Sequence, residues 1–375
     1  MARFTLDLIP REKQALSLLL ITSNNPISAS QIFPFYYFQS ELRRQCNIVF
    51  IEINIDKLLS GKPLPAMHVD LVFFQPWFDI SASNLTEMLE AARSSYPYAK
   101  FAFLDSYAPV DLRLAESLDS HVDVYIKKHV FRDRVAYGKE TIGDTNLGDY
   151  YGKLYSLPLT PTTFKVSTEF LDKLLVGPSF LTSNVMLPAF ANAFKFNNVA
   201  RHIDVHARLG GQGEGWYGRM RTHAIQAISA IPSMTVVTET GKSHSEYLRE
   251  LHASKLCFSP FGFGEVCWRD YEAVMCGALL IKPEMGHVET NPNIFIPYET
   301  YIPVKWDFSD LEEKVTRYLR DDRERSRIAE NAYGVLRSYV VSNGFVDHVK
   351  TVVAKAFPAN SASIALTTKP IGIKQ

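Results

Sequence analysis

The chain has 375 residues, a length that fits two domains or one large α/β unit with additions and excludes a single small module. Hydrophobic residues make up 46% and charged residues 21%, enough apolar material for two cores, which excludes wholesale disorder. Forty Lys and Arg balance forty Asp and Glu. The molecule as a whole therefore lacks the electrostatic footprint of most nucleic-acid binders, and only a local basic cleft stays open.

At the start of the chain, Asp7, Arg11, Glu12 and Lys13 place charge where a signal peptide needs its apolar centre. The first apolar run, 16–21, is far shorter than the ~20 residues of a membrane span. A soluble, cytoplasmic protein without a transmembrane segment is expected. Cys46, Cys257, Cys267 and Cys276 are too few and too scattered for a disulfide framework or a paired zinc site. They read as small apolar fillers.

Short apolar runs at 15–21, 47–53, 69–75, 100–105 and 122–127 read as strands. Helical periodicity at 35–44, 85–94 and 109–118 separates them, which gives a βαβ series and a mostly parallel sheet. From 137 to 178 glycines and prolines crowd the sequence, and a long loop leading into the domain connection is expected. The alternation then restarts, with strands at 201–207, 235–238, 255–259 and 278–282 and helices at 216–231, 243–253 and 266–276. Charged amphipathic helices at 308–319 and 322–342 and a last one at 346–356 follow. The expected organisation is a first α/β domain with connecting segment over 1–175, a second over 176–340, a C-terminal helix over 341–357, and a disordered tail over 358–375.

Two glycine-rich turns carry the chemical signal. After the strand at 201–207, Gly213, Gly215 and Gly218 satisfy G-x-G-x-x-G and open a helix. Glycines there let backbone N–H groups approach a phosphate, and Arg208, Arg219 and Arg221 are available to neutralise a diphosphate. A solvated surface turn is the plainer reading of the same residues. A dinucleotide-dependent, NAD(P)-linked oxidoreductase is a further one, with Glu239 at a plausible distance for a ribose contact.

The second turn, Ser259-Pro260-Phe261-Gly262-Phe263-Gly264, joins a strand to a helix on which Glu265, Arg269, Glu272 and Cys276 fall along one stripe. An ordinary surface Glu–Arg pair would read the same way. The stripe begins beyond a strand's carboxyl end, however, where open α/β sheets bind ligands. A carboxylate there can accept hydrogen bonds from ribose or hexose hydroxyls while an arginine pairs with phosphate. Lys282 and His287 follow the next strand and border the same region. The expected ligand is a nucleotide carrying a sugar.

On these residues the sequence resembles the C-terminal domain of GT-B-type glycosyltransferases, closest to the exostosin-like and related family-1-like bacterial enzymes. In these a glycine turn precedes an R-x-x-E-A-x-x-x-G helix, present here as Arg269-Asp270-Tyr271-Glu272-Ala273-Val274-Met275-Cys276-Gly277. The resemblance implies two Rossmann-like domains facing across a cleft and a role in polysaccharide biosynthesis. It also implies that Arg269 and the loop arginines face the donor diphosphate while Glu272 binds the donor's ribose or sugar. Many retaining relatives separate two glutamates by seven residues, whereas Glu265 and Glu272 are separated by six.

Sugar transfer needs a stabilised leaving diphosphate and, for an inverting centre, a base for the acceptor hydroxyl. No D-x-D motif occurs, so a metal-independent route is expected, with no cofactor beyond the nucleoside-diphosphate sugar and with a glycan or glycolipid as acceptor. Asp105, at a strand end, is the first candidate base and Asp111 the next. Lys127, Lys128, His129, Arg132, Asp133 and Arg134 form a basic cluster that reads as a solvated face or as a contact for donor phosphate or an anionic glycan. Phe33, Phe35, Tyr36, Tyr37 and Phe38 read as core or interface, with a lesser role in acceptor stacking. A non-catalytic glycan-binding or assembly protein of the same fold is the remaining alternative.

Overall fold

The computed structural model describes residues 15–358 except 24, 195, 197–199 and 212. The charged residues of the first segment and the tail expected beyond Pro358 lie outside the described residues.

A first sheet of six parallel strands is built from β1 (Leu16–Thr22), β2 (Ile48–Asn54), β3 (Leu71–Gln75), β4 (Lys100–Asp105), β5 (Val124–Lys127) and β6 (Leu174–Val176). Their spatial order is β2-β1-β3-β4-β5-β6. In β1, Leu18, Leu19, Leu20 and Ile21 are all fully buried, because helices cover both faces of a parallel sheet and each face takes alternate residues. Leu18 and Leu20 join Phe35 and Phe73 on one side, while Leu19 and Ile21 join Phe74 and Leu89 on the other. The helix Ala82–Ser95 turns Leu85, Met88, Leu89 and Ala92 onto that second face, and Ser81 caps it by accepting from the Asn84 amide.

A second parallel sheet contains β7 (Ile203–His206), β8 (Val236–Val237), β9 (Ser254–Phe258), β10 (Leu279–Pro283) and β11 (Ile302–Val304) in the order β8-β7-β9-β10-β11. In both sheets the strand order reverses beside the first strand. That reversal opens a crevice outside the carboxyl ends. The apolar cluster on one face of the first sheet runs without a break into the core of the second.

Three expectations change. The helix expected at 109–118 is confined to Ala115–Leu118. Upstream of it, Asp111 Oδ1 accepts from both the Arg113 amide at 3.2 Å and Arg113 Nε at 2.8 Å, a local bonding pattern that competes with helix. The segment 137–178 is not one long loop. It contains the helix Asn146–Leu154, capped by Thr145 Oγ1 from the Gly148 amide, with Leu147 and Tyr151 buried. Its glycines masked the periodicity, and one is required by packing: a Cβ on Gly152 would sit 2.6 Å from Leu159 Cδ1. Finally, the C-terminal helix Gly344–Ala356 crosses back to pack on β4 and β5. Its Phe345 ring lies 5.0 Å from Phe35 and 6.0 Å from Phe38, so the first core is completed by the end of the chain.

Candidate functional site

A cavity of about 870 Å³ opens between the carboxyl ends of the two sheets. Ile27, Trp77, Phe78, Ser106, Tyr107 and Lys128, from the segments after β1, β3, β4 and β5, form one wall. Arg208, Lys242, His244 and the Gly262–Gly264 turn, from the segments after β7, β8 and β9, form the opposite one.

The helix Trp268–Met275 supplies the chemistry of the second wall. Cys267 is its N-cap, and Asp270 closes the first turn by accepting from the Cys267 amide at 2.8 Å. Asp270 also holds Ser259 Oγ at 2.6 Å and Lys282 Nζ at 3.1 Å. Ser259, Asp270 and Lys282 are all fully buried, a compact network that fixes the turn from below. Gly264 is held by a neighbour across the cleft: a Cβ there would lie 2.0 Å from the Ala108 carbonyl oxygen. Only glycine permits so close an approach of the two halves.

Two guanidinium groups face the cavity from this wall. Arg269 donates from one terminal nitrogen to the Arg208 carbonyl at 2.9 Å, while its Nε and other terminal nitrogen are buried without a partner. Arg221 is buried, lies over the Tyr217 ring and leaves its Nε unpaired. Burial first, then the neighbouring Arg269 charge, pushes the Arg221 pKa below its ordinary value. Two neighbouring cations, one buried and one half-buried, with buried N–H groups left unpaired are costly unless an anion satisfies them. Glu272, on the next turn of the helix, accepts from Tyr247 Oη at 3.0 Å and sits 3.1 Å from His244 Nε2. Among the described residues it is the one carboxylate on the cavity wall.

Of the residues read from the sequence, Arg208, Arg221, Gly262, Gly264, Arg269 and Glu272 are brought together on this wall. Arg208 is already paired, with Nε and one terminal nitrogen 2.5 and 2.9 Å from the Glu250 carboxylate and the other bound to the Glu239 carbonyl. It shapes the wall rather than offering a free charge. Arg219 is exposed and points elsewhere. Ser259 and Lys282 lie behind the wall in the Asp270 network. Glu265 precedes the helix instead of opening its stripe, and its fully buried carboxylate reaches His129 Nε2 of the first half at 3.0 Å.

The two candidate bases are also placed away from the cavity. Asp105 is buried, with Oδ2 at 2.6 Å from Lys127 Nζ and 2.8 Å from Tyr125 Oη, so its basic oxygen is already engaged. Asp111 lies on a second, smaller cavity, bound through both oxygens by Arg113. His287 lies on that second cavity too. The G-x-G-x-x-G glycines have a structural reason of their own. A Cβ on Gly218 would sit 2.4 Å from the Gly213 amide nitrogen, so the loop folds back on its helix, and none of Gly213, Gly215 and Gly218 lines the cavity.

Sequence reasoning missed His244, Tyr247, Tyr217 and the aromatic wall of Trp77, Phe78 and Tyr107, while of the basic cluster at 127–134, read as a solvated face or a phosphate or anionic-glycan contact, only Lys128 lines this cavity. A usable signal existed for His244: Ser243 and Glu246 form a capping box just after β8, which places a helix N-terminus at the carboxyl edge of the sheet. The aromatic run at 33–38, read mainly as core or interface, supplies no ring to the cavity. Phe35 and Phe38 are core, and Tyr36 bonds to Glu52 on the outer surface.

Residues 195–343 match the family model described as glycosyl transferase-like. No curated protein matches the chain by sequence. An α-glucosyltransferase solved with UDP and a 13-mer DNA containing a HMU base aligns at 11% identity over 90% of this chain and 100% of that one, with a TM-score of 0.51. A glycosyltransferase from Rickettsia africae ESF-5 aligns at 12% identity over 91% and 99%, with a TM-score of 0.49. The chain thus has the GT-B fold, and its residues 195–343 match a glycosyl transferase-like family.

Proposed function

We propose that the protein transfers a sugar from a nucleoside-diphosphate donor to a glycan or glycolipid acceptor, with the donor bound by the second half and the acceptor by the first. The observation that carries this reading is the pair Arg221 and Arg269, the first buried and the second half-buried, both on the cavity wall with guanidinium nitrogens that have no partner. A diphosphate supplies the charge they lack, and as it leaves, its growing charge is stabilised more strongly than in the ground state. That division of charge makes metal-independent transfer the simplest form of the reaction. Glu272, held by Tyr247 and beside His244, is placed to accept hydrogen bonds from ribose or sugar hydroxyls. In the chemical step the bond between the anomeric carbon and the β-phosphate oxygen breaks with its electron pair going to that oxygen, the acceptor oxygen bonds to the carbon, and the acceptor's proton passes to the departing diphosphate or to water.

Thermal shift with UDP, GDP and NADH tests the ligand class. A nucleoside diphosphate at 100 times its Kd stabilises by about 2.7 kcal/mol. Stabilisation by NADH alone would overturn the reading. Slow hydrolysis of UDP- or GDP-sugars, lost in Glu272→Ala, separates an enzyme from a binding protein.

A further inference from the structure

Three rings, Trp77, Phe78 and Tyr107, stand on the wall opposite the arginines. Trp77 and Phe78 lie 4.5 Å apart, Phe78 and Tyr107 5.8 Å, and Tyr107 reaches Phe263 of the second half at 6.2 Å. Phe78 and Phe263 are about half exposed at the mouth. Among the described residues Lys128 is the one charged side chain on this wall. The two lysines at the end of β5 differ sharply. Lys127 is fully buried and spent on Asp105 at 2.6 Å. Lys128 is 3% exposed, yet its Nζ meets only the Ser106 carbonyl at 3.3 Å and the Phe180 ring at 4.6 Å. Both of those residues line the cavity.

A buried ammonium with no carboxylate beside it is poorly compensated, and burial, which Lys127 reinforces against the opposing pull of Asp105, pushes its pKa down to about 8. The other two buried lysines among the described residues, Lys127 and Lys282, pair with Asp105 and Asp270. Here the missing partner faces a space large enough for a sugar ring, beside rings on which sugar C–H faces stack.

Resting on the reading of this cavity as a glycosyl-transfer site, we propose that Lys128 is a specificity-determining contact for the acceptor, which is an anionic sugar. Its carboxylate or phosphate group pairs with Lys128 Nζ while its ring lies against Trp77, Phe78 and Tyr107.

Titration calorimetry and saturation-transfer NMR in the presence of UDP test this with methyl glucuronide, glucose 6-phosphate and methyl glucoside. At least one of the two anionic sugars should bind tenfold or more tightly than the neutral glucoside, and which one does so distinguishes carboxylate from phosphate. In Lys128→Met, and in Lys128→Gln as a polar check on folding, that preference should disappear while UDP affinity stays within twofold of the parent. Equal binding of all three sugars, or an anion preference that survives both substitutions, overturns the proposal. A loss of UDP affinity in Lys128→Met as large as in Arg269→Ala also overturns it, because Lys128 then belongs to the donor site. If UDP does not bind the parent protein at all, the donor reading fails. The same sugar comparison without UDP then still decides the role of Lys128.

Discussion

His129 Nε2 lies 3.0 Å from Glu265 Oε2, and both side chains are 2% exposed or less. The two residues are 136 positions apart and belong to opposite halves, so this bond joins the segment after β5 to the turn that opens the site helix. Burial pushes the His129 pKa down. Burial, the largest influence, opposes ionisation of Glu265, but the hydrogen bond from His129 together with the nearby imidazoles and a backbone bond holds the carboxyl below its usual range. The pair is therefore a neutral imidazole donating from Nε2 to a carboxylate. His129→Ala leaves that carboxylate buried without its donor and is expected to cost about 3 kcal/mol of stability in chemical denaturation. Glu265→Gln keeps an acceptor of the same shape and should cost distinctly less. Equal losses would contradict this assignment of charge.

Arg221 and Arg269 both line the cavity, and each carries guanidinium nitrogen without a partner. A hydrogen bond to a charged group is worth about 1.5–3 kcal/mol, so Arg269→Ala should weaken UDP or GDP binding by roughly 10–100-fold in titration calorimetry, and Arg221→Ala by a similar factor. Arg219→Ala, on the exposed face of the same helix as Arg221, should leave it unchanged. Were Arg219→Ala to match the other two, the anion site would have to include the glycine loop.

The close approach of Gly264 to the Ala108 carbonyl leaves no room for a methyl group. Gly264→Ala must push the first half away from the turn, and overpacking of this kind costs about 1–3 kcal/mol. The displaced turn carries one side of the cavity, so turnover should fall more steeply than stability. Gly210→Ala, where a Cβ meets nothing within 4 Å, is the control and should lower neither. An unaltered melting temperature for Gly264→Ala would show that the two halves do not meet there in solution.

Acid should destabilise the fold. Burial pushes His206 down to about 4, with the Arg269 and Arg208 charges adding to the shift, and burial alone takes His348 down to about 4. With folded values below the ordinary 6.5, the unfolded chain binds more protons than the folded one between those limits. Stability is full above about pH 6.5 and is lost as the pH falls toward 4. At pH 5 each of these histidines should contribute a loss of about 2 kcal/mol relative to pH 7. Urea midpoints at the two pH values measure it. His348→Phe, on the helix that completes the first core, should remove its share of the pH dependence.

Much of the architecture is legible in the sequence because local patterns carry it. Short apolar runs such as 18–21, bounded by turn residues, read as strands covered on both faces, and the alternation with helices points to parallel sheets. The failures share one cause. Gly148 and Gly152 sit in a helix where a side chain would crowd the Thr145 cap and Trp216 at the first and Leu159 at the second, a reason absent from the local sequence. Asp111 lies outside a helix because its neighbour two residues on captures it.

For the site, the turn at 262–264 and the helix residues Arg269 and Glu272 were readable, since a strand, a glycine turn and a helix are contiguous and their carboxyl-end position follows from the fold. Which charges remain free was not. Arg208, Arg221 and Arg269 look alike in the sequence, as do Lys127 and Lys128, and Asp105 looks as available as Glu272. Whether each is spent on a partner or left facing the cavity depends on residues tens to hundreds of positions away: Glu250 for Arg208, Asp105 for Lys127, His129 for Glu265. The sequence by itself determined two wound sheets and the place where their crevice lies, because periodicity and turn chemistry act between near neighbours. Tertiary structure alone decided which ionised groups enter that crevice without a counter-charge, because desolvation and ion pairing are set by distances across the fold.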